Sequence, residues 1–193
     1  TGSFDWNEML CAGPGAATTL TAIEYGVGAT ASLEPNNFDE NQIDGKFIGI
    51  TGSVEDGTEA RVTFEFDKSS TNPARASATE YTIGVGGIGD PVGLGNRIAA
   101  AISLARANGN LFMRADVDAG TGAVLLTQQF KTKLFNAKEI VGSAVQPDQL
   151  NAGVTAQGPF HGGQTPPTFT IATAEQSGGL PQGREWPYHR AEF

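Results

Sequence analysis

A chain of 193 residues suits one domain, or one domain with arms, and its middle is long enough to bury a modest core. Hydrophobic residues make up 39% and charged residues 17%, the latter against about 25% in average globular domains. That balance excludes wholesale disorder, and a net charge of −9 excludes nucleic acid as a partner, because phosphates must be met by cations.

The same acidity discourages contact with anionic membranes. No apolar run approaches the roughly 18 residues of a spanning helix, and the start lacks the charged-then-apolar pattern of a signal peptide. Gly (26) and Pro (10) together approach a fifth of the chain, which points to a β-rich, loop-rich fold. Cys11 is the only cysteine, so an intrachain disulfide is impossible; a small buried or tolerated side chain is its simplest reading.

Residues 1–40 read as an N-terminal arm. Phe4, Trp6, Met9 and Leu10 are apolar, but Gly13-Pro14-Gly15 stops any element they begin. Thr18–Tyr25 is strand-like with imperfect alternation, and Glu34-Pro35-Asn36-Asn37 reads as a turn. A core module follows over residues 41–145, and Phe47, Ile48 and Ile50 begin its first strand. Asp56-Gly57 signals a hairpin between this first strand and Arg61–Asp67. In the latter Val62, Phe64 and Phe66 alternate with Arg61, Thr63 and Glu65, the period of a strand with one dry face. Lys68 to Ser77 reads as a connecting loop, and Tyr81-Thr82-Ile83 as a short further strand.

The spacing predicts one helix from Asp90 to Asn108. Asp90 is suited to cap the first free N–H groups, and Pro91 loses nothing at the first helical position. Leu94, Ile98, Ile102 and Ala105 form a single stripe, and Asn108-Gly109 supplies the stop. One dry stripe implies a sheet beneath it, with the Val62/Phe64/Phe66 face as the partner. A second hairpin, Leu111–Asp116 with Ala123–Gln128, turns through residues 118–122, and Leu125 between Val124 and Leu126 predicts a strand buried on both faces. From residue 146 onward Gly and Pro interrupt every candidate helix, and only Thr168–Thr173 is strand-like. The expected fold is therefore α+β: a small antiparallel β-β-α-β-β module with one helix packed on its sheet, flanked by extended arms at 1–40 and 146–193. Phe4, Trp6, Leu10, Phe169, Ile171, Trp186 and Tyr188 lie on those arms without a core of their own, and are the candidate interface residues.

Motifs for chemistry are weak. Gly84-Val85-Gly86-Gly87-Ile88-Gly89 matches the dinucleotide fingerprint in letters. Asp90-Pro91, however, starts the helix after the third glycine, where the fingerprint needs that glycine inside it. Repeated crossover units and a later acidic residue are missing as well, so a flexible turn is expected. Asp116-x-Asp118-x-Gly120 resembles the start of a calcium loop, but Gly120 and Thr127 stand where oxygen ligands belong, and a hairpin turn accounts for it better. His161 and His189 have no ligand-spaced Cys or carboxylate, and no Gly-x-Ser-x-Gly elbow occurs. No catalytic residue, metal or cofactor is expected.

The ordered combination of Val62-Thr63-Phe64-Glu65-Phe66-Asp67, the alanine-rich Arg97–Ile102 helix and Val124-Leu125-Leu126-Thr127-Gln128 resembles a module of tailed-bacteriophage virion proteins. The likeness spans about Phe47 to Ile140. Asn136 and Ile140 fit the closing segment of that module, whereas Phe135 replaces its glycine. The resemblance implies a non-enzymatic role in a virion, as capsid decoration or a tail-associated subunit, with other copies of itself and other virion proteins as partners. One alternative is a carbohydrate- or host-surface-binding module presenting Trp6, Trp186 and Tyr188; a weaker one is a nucleotide-binding enzyme using the Gly84–Gly89 loop.

Overall fold

The computed structural model describes residues 26–146 and 153–165. The chain is α+β, with one long helix packed on β-sheet. In order the elements are β1 (Thr30–Pro35), α1 (Glu40–Ile43), β2 (Phe47–Ser53), β3 (Glu59–Asp67), β4 (Ala74–Arg75) and β5 (Glu80–Gly84). Then come α2 (Pro91–Ala107), β6 (Met113–Val117), β7 (Val124–Gln128), β8 (Val145–Gln146) and β9 (Val154–Ala156).

Both predicted hairpins form, but each belongs to a different sheet. β2 and β3 pair antiparallel through a turn in which Asp56 accepts the Thr58 N–H at 2.8 Å. They lie in a four-stranded sheet of order β2-β3-β5-β4. β6 and β7 pair antiparallel in a five-stranded sheet of order β6-β7-β1-β9-β8. Pairing is mixed rather than antiparallel throughout, since β3 with β5 and β8 with β9 run parallel. Part of the expected 68–77 loop, β4, forms the edge next to β5.

The helix obeys its sequence signals. Asp90 caps it by accepting the Gly93 N–H at 2.6 Å, Pro91 occupies the first turn, and Asn108 ends it. Its buried stripe of Leu94, Ile98, Ile102 and Ala105 faces a single core shared by both sheets. α2 touches β5 and β4 on one side and β6, β1 and β7 on the other, so it bridges the sheets instead of covering β3 alone. Ile48, Ile50, Val62, Phe64 and Phe66 enter that core from one sheet, and Ala31, Leu33, Met113, Val124 and Leu126 from the other.

Two expectations are corrected. Leu125 is 47% exposed while Val124 and Leu126 are fully buried, so β7 is dry on one face only. The folded body also reaches into both predicted arms. β1 is the central strand of the five-stranded sheet, between β7 and β9, and Val154 and Phe160 are fully buried. Its inward residues, Ala31 and Leu33, alternate with Thr30, Ser32 and Glu34, but such a short row with so small a member gives a faint periodic signal.

Candidate interaction surface

The glycine loop after β5 is committed to the fold. Val85 donates its N–H to the Asp67 carbonyl, Gly86 to the Ser70 carbonyl and Gly87 to a Glu40 carboxylate oxygen at 2.5 Å. With Asp90 on the helix terminus, two carboxylates sit where a dinucleotide would need free donors for its pyrophosphate. β5 itself is flanked by parallel β3 and antiparallel β4.

The Asp116/Asp118 pair is likewise engaged locally. One Asp118 oxygen accepts the N–H groups of Gly120 and Thr121 and the Thr121 hydroxyl, at 2.8, 2.8 and 3.0 Å. Those bonds, the Thr121 N–H foremost, hold its pKa below the ordinary aspartate value. Asp116 pairs with Arg114 at 2.8 Å. Among the described residues no group of three or more His, Cys, Asp or Glu is placed to hold a metal ion. A shallow depression of about 210 Å³, lined by Glu55, Arg106, Gly109, Leu111 and Phe112, lies at the end of α2, below the roughly 300 Å³ of usual ligand pockets.

The outer face of the five-stranded sheet is polar. On the five-stranded sheet Thr30, Ser32, Glu34, Arg114, Asp116, Thr127 and Thr155 surround the protruding Leu125. A separate feature lies where the chain enters and leaves this sheet. Val27 and Gln164 exchange both backbone hydrogen bonds, at 3.0 and 2.8 Å, and Thr30 and His161 do the same at 2.8 and 2.9 Å. The two ends of the described chain, at residues 26 and 165, therefore stand side by side. Leu134, 69% exposed, belongs to the neighbouring segment, whose Lys133 N–H and Thr132 hydroxyl both meet the Thr165 hydroxyl.

Asn136 clamps this exit, a role that sequence reading missed. Its side-chain amide donates to the Gly163 carbonyl at 3.1 Å and accepts the Gly163 N–H at 2.9 Å, while Ala137 donates to Phe160 at 2.7 Å. Asn in an irregular stretch signals only a turn; its partner lies 27 residues away. Asn136→Ala is expected to lose both bonds at a part-buried site, at about 1–3 kcal/mol. Hydrogen exchange should accelerate at 160–165 before it does in β3; unchanged protection there would count against the clamp.

A second seam joins the sheets. The Gln128 side chain donates to the Thr51 carbonyl at 3.1 Å, and Phe112 donates to the Ser53 carbonyl at 2.5 Å. Gln128 Oε1 and Ser53 Oγ are buried there without a hydrogen-bond partner among the described residues.

The seven candidate interface residues, Phe4, Trp6, Leu10, Phe169, Ile171, Trp186 and Tyr188, lie outside the described residues, as do Cys11, His189 and the Thr18–Tyr25 stretch. What the structure adds is the place where the segments bearing them join the body. No protein-family model, curated protein or solved structure matches the chain.

Proposed function

We propose that this chain is a non-enzymatic structural subunit of a tailed-phage virion. It decorates the capsid or belongs to the tail, and assembles by docking its terminal segments on neighbouring copies and other virion proteins. The observation that carries the reading is the shared exit at Val27 and Gln164. Residues 27 and 164 sit paired beside β1, on a body whose core is built from its own β2, β3, β5, α2, β6 and β7. The segments beyond those two points carry Phe4, Trp6, Leu10, Phe169, Ile171, Trp186 and Tyr188 in their sequence. Each large side chain buried on a neighbour contributes about 1.5–3 kcal/mol, so a few suffice for association. The stretches behind the phage resemblance fall on β3, α2, β7 and the segment around Asn136, which are the strands, bridge and clamp of this body.

Light scattering on the full chain tests the reading. The chain is expected to assemble, and Trp186→Ser with Tyr188→Ser should shift it toward single copies with the circular dichroism of the body unchanged. A chain that stays single at every concentration rejects the subunit role. Saturable oligosaccharide binding by single copies, lost in the same variant, would establish the surface-binding alternative instead.

A further inference from the structure

A β-sheet edge is a row of unpaired N–H and C=O groups, and proteins usually cover or shorten it. Here the β2 edge is covered along its length. Phe47 meets Ser143 and Ala144, Gly49 exchanges two bonds with Val141, the Thr51 carbonyl takes the Gln128 amide and the Ser53 carbonyl takes Phe112 N–H. β4 and β8 are only two residues long. β6, with five, differs from them all. The bonds from Gln129 N–H to Phe112 and from Asp118 N–H to Ala123 set the phase of its ladder, so Arg114 and Asp116 face β7. The N–H and C=O groups of Ala115 and Val117 point the other way, where no strand pairs with them among the described residues.

We propose that the β6 edge accepts Thr168–Thr173 of a second copy as a sixth strand, which deepens, and rests on, the subunit reading above. Strand addition draws its affinity from main-chain bonds and its register from alternate side chains. The segment has the matching alternation: Thr168, Thr170 and Ala172 on one face, Phe169 and Ile171 on the other. β6 is divided the same way, with Arg114 and Asp116 on the polar outer face and Met113, Ala115 and Val117 toward the core. Setting the threonines beside the polar face puts Phe169 and Ile171 in line with the core row, and a one-residue slip would reverse both.

Chain length selects the second copy as donor. Gln164 is fixed on the side of β1 away from β7, so a strand outside β6 lies four strand spacings away, about 19 Å. Four residues from Gln164 to Thr168 span at most about 14 Å. The segment of the same copy falls short, while two copies exchanging segments satisfy both edges around a twofold axis.

The test uses full chains carrying Cys11→Ser. Copies with Asp116→Cys are mixed with copies carrying Thr168→Cys, Thr170→Cys or Ala172→Cys and oxidised. The expected result is a disulfide-linked pair of copies from at least one mixture, absent from either partner alone. No mixed product, or a doubly substituted chain that links only within itself, overturns the proposal. Ala115→Pro removes an outward N–H and leaves the β6–β7 ladder intact, as proline on an edge strand can. It should return the assembly to single copies. Assembly that survives Ala115→Pro yet dissolves with Trp186→Ser and Tyr188→Ser rejects the edge while leaving the subunit reading standing. Should Ala115→Pro fail to fold, the cross-link decides.

Discussion

Phe66→Ala is expected to lower the unfolding free energy by about 3–5 kcal/mol, enough to consume a large part of the roughly 5–15 kcal/mol that a domain has in total. Phe66 is fully buried on the inner face of β3. Its ring lies so close to Gly153 that a Cβ there would sit 3.2 Å from it and 3.4 Å from Ile43. The side chain thus joins α1, the four-stranded sheet and the segment leading into β9. Its backbone holds the same junction, donating to the Lys46 carbonyl and accepting from Gly45, both at 2.8 Å. Truncation leaves a void bounded by three elements held in place by their own hydrogen bonds, so the site collapses poorly and the cost lies toward the upper end. Urea titration followed by circular dichroism is the check, with a drop in midpoint of about 2 M expected for an ordinary slope. Glu65→Ala, one residue away on the exposed face, should stay within about 0.5 kcal/mol. A loss below about 1 kcal/mol at Phe66 would mean that β3 does not carry the core.

That contrast between neighbours was legible from sequence because the large apolar residues of β3 recur every second position. The helix was legible for a different reason: Asp90, Pro91 and Asn108 act within a few residues of themselves, and local chemistry suffices to place them. What sequence could not supply is pairing between distant strands. The parallel register of β3 with β5, Thr63 opposite Glu80, depends on a crossover that no turn residue encodes. In sequence β1 reads as part of an arm because Ala31 contributes little hydrophobic signal, although the strand is held on both sides by β7 and β9. Leu125 misleads in the opposite direction, since an apolar residue on an outer face looks like a second dry face, whereas among the described residues it stands 47% exposed. For the candidate surface, the apolar residues of the terminal segments could be read off directly. Their common point of departure and the Asn136 clamp could not, because both arise from contacts between residues far apart in the chain.

Gly122→Ala is expected to cost about 2–5 kcal/mol and Gly109→Ala only about 1–2 kcal/mol, although both glycines are left-handed, at φ +77° and +72°. The conformational penalty is common to the two. Around Gly109 a Cβ would meet nothing within 4 Å, so that penalty is the whole effect. At Gly122 the added carbon would collide with the Pro91 carbonyl in the first turn of α2. The approach is mutual, because a Cβ on Gly95 would collide with the Gly122 carbonyl. Helix and β6–β7 turn therefore meet backbone to backbone, and a methyl group on either must push α2 off the five-stranded sheet. Gly95→Ala gives the sharper sign test. Helix propensity alone predicts a gain of about 1 kcal/mol at an interior position, whereas the contact predicts a loss. Combining Gly95→Ala with Gly122→Ala should cost less than the sum of the two, since a helix already displaced by one methyl has room for the other. Denaturation of the four variants settles the matter: equal costs at Gly109 and Gly122, or a stabilising Gly95→Ala, would mean that α2 is free to move, and that the bridge between the two sheets is not fixed by this contact.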